Sequence, residues 1–366
     1  MVINGRGKVD ADFWRGKKVF LTGHTGFKGS WLSLWLTSLQ AEVTGFSLSP
    51  NTKPSLFDIA RVARSIKASH IGNICNSNEL NSAILAAKPD IVIHMAAQAL
   101  VRYSYDHPVE TFETNVMGTV NLLEAVRRQP SIKAVVVVTT DKCYENNGLS
   151  QKFTESQAMG GHDPYSSSKG CAELVVAAYQ RSYFNVALNK CADRPVAVAS
   201  ARAGNVIGGG DWATDRLVPD AISAFECDQP LKLRYPGATR PWQHVLEPLA
   251  GYLALAKNLY IHGASFVGAW NFGPLDSDSR SVEYVVDLLI DQWGGNACWQ
   301  QDGAPTLHEA QLLALDCTKS DELLGWRPRW SLPTAIEKIV SWHKAFNNNQ
   351  DMLKETLSQI DDYQNS

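Results

Sequence analysis

Through the N-terminal half of the chain, short apolar runs alternate with stretches of helical period. Residues 17–23 (KKVFLTG) form a run of large apolar side chains closing on glycine, and residues 27–40 (FKGSWLSLWLTSLQ) follow with bulky residues at helical spacing. The same alternation predicts strands over 41–48, 90–97, 133–141 and 194–206, and helices over 78–89, 108–129 and 166–183. The strands are continuous apolar runs, as in VVVV at 135–138, not alternations of apolar and polar residues. A strand apolar on both sides is buried on both faces, which predicts a parallel sheet layered with helices, a doubly wound α/β architecture.

After Asn205 the rhythm breaks. Residues 207–220 (IGGGDWATDRLVPD) and 235–242 (YPGATRPW) are rich in glycine, proline and charge and are read as loops. A helix over 244–260 and a strand over 268–274 then follow, the strand expected to return to the main sheet. This predicts interleaved lobes: residues 15–205 with about 245–275 as the sheet domain, and 206–244 with 276–350 as a smaller lobe. No internal repeat or low-complexity segment is visible.

Composition narrows the function. The 366 residues carry 45 % hydrophobic side chains and a formal net charge of −3, so nothing basic suggests a nucleic-acid partner. No stretch has the length of a membrane span, and the first residues lack the apolar core of a secretory signal, which predicts a cytoplasmic protein. Seven cysteines without C-x-x-C spacing are expected to be reduced, and nine scattered histidines with no i, i+4 pair predict no metal site.

Three constellations carry chemistry. Gly23, Gly26 and Gly29 (TGHTGFKG) lie between the first strand and the first helix. There they permit a tight turn, close approach of backbone to a pyrophosphate and close helix packing, with the helix N–H groups facing the anion, the signature of a Rossmann-type fold. The spacing is G-x-x-G-x-x-G. Tyr165 and Lys169 stand four residues apart at the start of a helix, hence on one face, and the ammonium is expected to lower the phenol toward working pH as a base for an alcohol proton. Thr140, Asp141 and Lys142 close the VVVV strand, where open α/β sheets bind ligands.

Together these motifs resemble the extended short-chain dehydrogenase/reductase family, over nearly the whole chain. Within it, nucleotide-sugar 4,6-dehydratases carry Thr-Asp-Glu at this strand end, and TTDKCYENN resembles the variant with lysine in place of glutamate. The stretches RAGNVIGGGDWATDRLVPD, ATRPWQHVLEPLAGY and LGWRPRWSL are similar to the branch acting on cytidine-diphosphate sugars. The resemblance implies NAD as cofactor and a nucleotide-sugar substrate, with oxidation at C4 by Tyr165, Lys169 and Thr140. Asp141 is then the acid and Lys142 the base of a C5/C6 elimination; a lysine base must be neutral, which calls for desolvation or a nearby positive charge. It places the cofactor on Gly23, Thr25, Gly26, Phe27, Gly29, Asn73, Ile74, Ala96 and Ala97, together with Tyr165 and Lys169. It places the substrate on Gln98, Asn205, Arg216, Arg234, Arg240 and His244. Homo-oligomerisation through helices at 107–128 and 165–184 is implied as well.

One expected feature is missing. The acid that binds the adenosine ribose, about 20 residues beyond the glycines, has no counterpart in VTGFSLSPNTK, and Asn73 stands where related proteins often place an aspartate. NAD is therefore expected to bind loosely. Lys53 leaves room for a 2′-phosphate and hence NADP, and Lys28, inside the glycine turn, either meets a pyrophosphate or points to solvent. Another nucleotide-sugar dehydratase or epimerase, or a non-catalytic dinucleotide sensor, remain alternatives at this point.

Overall fold

The computed structural model describes residues 9–146, 152–184, 196–302 and 313–366. Seven parallel strands form the main sheet: β1 (Lys18–Thr22), β2 (Glu42–Ser47), β3 (Ala68–Ile71), β4 (Ile91–His94), β5 (Ala134–Val138), β6 (Ala197–Ala203) and a late strand, Gly268–Phe272. The order runs from Gly268–Phe272 through β6, β5, β4, β1 and β2 to β3, so the chain reverses its winding between β1 and β4. That reversal opens a crevice at the carboxyl ends of the strands. Every residue of β5 is buried, because side chains on both its faces meet helices.

The two faces hold separate apolar layers. Val19, Leu21, Ile91, Val136 and Ala199 pack on one side with the helix that follows β1, Phe27–Ser38, the first helix of the sheet domain after a short turn of helix at Ala11–Trp14. Phe20, Val92, Val135, Val137 and Val198 pack on the other. The first helix is buried nearly all round, Trp31 and Trp35 included. Its outer side is covered by the last helix, Met352–Asn365, whose Tyr363 meets Trp35 edge to face at 5.6 Å. The long helix predicted over 108–129 is present but widened by a π turn at Glu113–Met117, a feature frequent near functional sites.

Three departures from the sequence reading have physical causes. β3 is an exposed edge strand with too few apolar residues to register as a run. Within the segment read as loop at 207–220, a helix begins at Leu217 and runs to Glu226. In the second segment read as loop, Thr239–His244 pairs with Asn205–Ile207 and with Ser279–Ser281 in a three-stranded sheet, a non-local pairing that no local pattern announces. These elements enclose a third apolar cluster including Ile222, Phe225, Trp242, Val285 and Ile339. Among the described residues no helix is long and apolar enough to cross a membrane, and no group of three or more His, Cys, Asp or Glu converges for a metal ion.

Candidate active site

The glycine turn after β1 is shaped by sterics. Gly23 takes φ +77°, and a Cβ there would sit 2.7 Å from the Ala96 nitrogen, while one on Gly29 would run into the Gly23 carbonyl. The first helix therefore docks directly on the strand end, and Gly26 opens it with no side-chain cap, leaving its first N–H groups free for an anion. Thr25 lies 2.8 Å from the Ser47 hydroxyl and donates to the Leu48 carbonyl at 2.8 Å. The position where a ribose-binding acid is expected is thus occupied by a serine already committed to the turn. Asn73 is exposed and caps the Cys75 N–H at 2.9 Å; Ile74 is buried; Ala96 donates its N–H to Thr22 at 3.1 Å; Ala97 is half-buried beside it. A pyrophosphate fits this uncapped helix end.

Tyr165 and Lys169 begin the helix Pro164–Ser182, which Asp163 caps by accepting from the Ser166 N–H at 2.9 Å, with Pro164 in the first turn. Both side chains are buried, and Lys169 donates to the Val138 carbonyl at the end of β5, 3.2 Å away. Burial pushes the Tyr165 phenol up to about 12, opposed by its hydrogen bond with Thr140. The expectation of a phenol lowered by Lys169 is not met here. Burial brings the Lys169 ammonium itself down to about 8, against the pull of Glu173.

β5 runs straight into a tight turn, Asp141–Cys143. The Thr140 hydroxyl donates to Asp141 Oδ1 at 3.1 Å and accepts the Lys142 N–H at 3.4 Å. Asp141 is 1 % exposed and its Oδ2 has no hydrogen-bond partner. Burial raises its pKa, opposed by Lys142, Thr140 and Arg240. A carboxyl so placed holds its proton longer than an ordinary aspartate. Lys142 is half-buried beside it.

These groups open onto one cleft of about 690 Å³ whose lining includes Thr140, Asp141, Lys142 and Tyr165 together with Asn205, Arg216, Arg234 and Arg240. Arg216 pairs with Asp211 at 2.8 Å, and Asp215 bridges Arg102 at 3.0 Å and Arg234 at 3.8 Å. Phe27 and Lys28 also line the cleft, and burial together with the positive charges of Lys169 and Arg216 brings Lys28 down to about 7.

Two residues assigned to the substrate lie elsewhere. The Gln98 amide donates to the Leu100 carbonyl and Thr111 hydroxyl at 3.1 and 2.9 Å, and its N–H donates to Asn115, so it shapes the loop after β4. His244 is fully buried between Trp31 and Trp330, ring centroids 5.9 and 4.9 Å away, and burial holds it at about 3. Sequence reading missed Arg102 and Asp215, which carry no local signal. It also missed Glu173 and Arg202, a buried pair that does: Glu173 continues the four-residue spacing of Tyr165 and Lys169, and Arg202 is a lone charge in an apolar strand.

The profile of the family described as GDP-mannose 4,6 dehydratase matches residues 20–261. The chain is 53 % identical over 355 residues to a CDP-glucose 4,6-dehydratase of Salmonella typhimurium, covering 97 % of this chain and 98 % of that one. Among solved structures, the fold is similar to dTDP-glucose 4,6-dehydratase from Bacillus anthracis in complex with NAD, at TM-score 0.72 and 22 % identity, covering 92 % and 99 % of the two chains. It is similar also to UDP-glucose 4-epimerase with UDP-glucose from Thermotoga maritima, at TM-score 0.76 and 20 % identity over 90 % and 99 %. A profile spanning the glycine turn and the Thr140 and Tyr165 elements, with a relative matching almost end to end, settles the family: this chain belongs to the GDP-mannose 4,6-dehydratase family.

Proposed function

We propose that the protein is a hydro-lyase that converts CDP-glucose to CDP-4-keto-6-deoxyglucose with loss of water, using NAD. The observation that carries this reading is that an acid-and-lysine turn, Thr140–Lys142, lines the same cleft as Tyr165, with Thr140 hydrogen-bonded to the phenol. An oxidoreductase alone needs only the tyrosine; an elimination needs a further acid and base. NAD, when bound, would supply reversible hydride storage, so that the sugar would be oxidised at C4 and reduced at C6 with no net redox change. Gly23, Gly26 and Gly29 and the free N–H groups of the first helix would hold its pyrophosphate. With a serine-bound turn and no carboxylate at the end of β2, the ribose would be held weakly, and purified protein should respond to added NAD.

Tyr165 takes the C4 hydroxyl proton while the Thr140 hydroxyl turns from Asp141 to donate to the forming phenolate, and Lys169 contributes positive charge one helical turn away. Once C4 is a ketone, C5–H is acidic. Lys142 removes that proton, and Asp141, whose buried carboxyl holds its own, gives its proton to the C6 hydroxyl, which leaves as water. Lys142 then returns its proton to C5 as C6 is reduced, and the proton left on Tyr165 balances the one lost from Asp141. Asn205, Arg216, Arg234 and Arg240 receive the diphosphate and nucleoside, arginine forks matching phosphate oxygens. The cytosine preference rests on the Salmonella relative. Incubating the protein with NAD and CDP-, dTDP- or GDP-glucose tests the reading: a 4-keto-6-deoxy product should form fastest from CDP-glucose, and none from any of them would end it.

The same reading includes a second copy of the chain. Pro108, Val109, Phe112, Val116 and Met117 border a shallow apolar depression with Cys171 of the Tyr165 helix, and Val109 and Leu174 are 69 % and 61 % exposed. Apolar surface gathered on two helices suits a self-complementary four-helix contact. Light scattering should give a dimer or larger, and Val109→Asp should shift it toward monomer. The free thiols at Cys75, Cys143, Cys171, Cys227, Cys298 and Cys317 suit a reducing compartment, in keeping with a cytoplasmic location.

A further inference from the structure

Behind the Thr140–Lys142 turn lies a buried ion pair outside the cleft lining. Glu173, one helical turn beyond Lys169, accepts from Arg202 Nε at 3.0 Å and Nη2 at 2.9 Å, and from Ser200 at 2.6 Å. The Thr139 hydroxyl also donates to Glu173. Arg202 Nη1 donates to the Tyr144 hydroxyl at 2.7 Å, which in turn donates to Asn271 Oδ1 at 2.7 Å. Thr139 and Tyr144 flank the catalytic segment, residues 140–143, on its two sides. The turn that presents Asp141 and Lys142 is therefore pinned at both ends to a single ion pair, and the carboxylate of that pair belongs to the helix that presents Tyr165 and Lys169.

Desolvating two charges is expensive, and a buried pair of this kind often stabilises no better than apolar residues of the same volume. Its geometry is specific instead: five hydrogen bonds link one helix, one strand and both flanks of one turn. The Tyr144 ring is independently fixed, stacked on Phe153 at 4.9 Å and lying under the Arg202 guanidinium at 4.8 Å. Its hydroxyl is thus the removable link between the pair and the turn.

We propose that Tyr144 is a positioning residue for the elimination half of the reaction: through its hydroxyl, the Arg202–Glu173 pair holds Asp141 and Lys142 in register with Tyr165. This rests on the dehydratase reading. Tyr165 and Lys169 sit on the helix side of the brace and Asp141 and Lys142 on the turn side, with Thr140 as the turn's one contribution to the oxidising group, so loosening the turn should slow C5 deprotonation more than C4 oxidation.

The test is Tyr144→Phe, which keeps the ring, its stacking and its cation–π contact. We expect the rate of water release from CDP-glucose with NAD to fall about tenfold to a hundredfold at unchanged KM, the scale of a misplacement near 1 Å. The isotope effect on kcat from C5-deuterated substrate should rise, and that from C4-deuterated substrate should fall. Thr139→Val, an isosteric change at the other end of the turn, should give the same signature and decides the matter should the first variant not fold. Native rates in both variants overturn the proposal, as does a slower enzyme whose isotope effects are unchanged, since that marks general loosening. Failure of the native enzyme to release water from CDP-glucose removes the dehydratase reading and this role together; native turnover with unaffected variants removes this role alone.

Discussion

Asp141 and Glu173 are both buried acids beside the carboxyl end of β5, and the protein treats them in opposite ways. Glu173 meets Arg202, Ser200 and Thr139; against a burial that favours its neutral form, these donors hold its pKa below the usual carboxylate range. Asp141 has one hydroxyl donor, from Thr140, and a bare Oδ2, and burial raises its pKa. The difference teaches how to tell a fixed anion from a working acid. Saturating a buried carboxylate with donors makes it part of the scaffold; leaving one oxygen unmet makes the proton transferable.

The sharpest way to break this comparison is Asp141→Asn. It removes the transferable proton and keeps the shape, so product formation should fall by about 10²–10⁴-fold. The thermal midpoint should hold or rise, because a desolvated acid is lost. A variant that is both active and destabilised would mean that Asp141 is scaffold.

Glu173→Ala should do the reverse, leaving the Arg202 charge buried and unpaired. Denaturant unfolding should show a loss of about 3–5 kcal/mol. A loss no greater than that of an exposed pair, about 1 kcal/mol, would show that Arg202 finds other compensation.

The pair should also separate with pH. Asp141 binds its proton more tightly folded than unfolded, so its effect on stability is least unfavourable in acid and worsens as pH rises from its ordinary value of 3.8 through the raised folded value. Glu173, lowered in the fold, contributes stability above its ordinary 4.5 that is lost as pH falls through the folded value. The stability gap between Asp141→Asn and the native protein should therefore widen in the variant's favour from mild acid upward. A constant gap would contradict the raised pKa of Asp141.

The smallest effect is expected at the cleft mouth. Asp215 bridges Arg102 and Arg234 with side chains 33–44 % exposed, where a substrate diphosphate would compete with it. Asp215→Asn should lower KM for CDP-glucose, by less than about fivefold because exposed pairs are worth under about 1 kcal/mol. A raised KM would mean that Asp215 positions the arginines.

Much of the sheet was legible because a buried parallel strand writes its burial into consecutive residues, as at 135–138, and because the glycine turn and the Tyr165–Lys169 pair are local in sequence. Thr140, Asp141 and Lys142 could be placed together from their strand end alone. The substrate side could not be read in the same way. Arg102 and Asp215 meet across 113 residues, and the strand Thr239–His244 exists only through partners at Asn205–Ile207 and Ser279–Ser281. His244 looked available beside arginine and glutamine, but tertiary packing buries it between two tryptophans. The pKa of Tyr165 was misjudged because spacing reveals a neighbouring charge and hides the depth of burial.

The sheet's last strand, Gly268–Phe272, adds to β6 only after the chain has left the main sheet and laid down two strands of the three-stranded sheet, Asn205–Ile207 and Thr239–His244. During synthesis the order of emergence therefore matters. All seven residues of Ala197–Ala203 are buried in the finished fold, yet until Phe272 leaves the ribosome they form an apolar edge with unpaired N–H and C=O groups. A nascent chain halted before Gly268 should bind chaperones or pellet, and one halted well beyond Phe272 should do so far less. By the same logic the glycine-turn half expressed alone would be an open-edged sheet, sticky in the cell however well its own helices form.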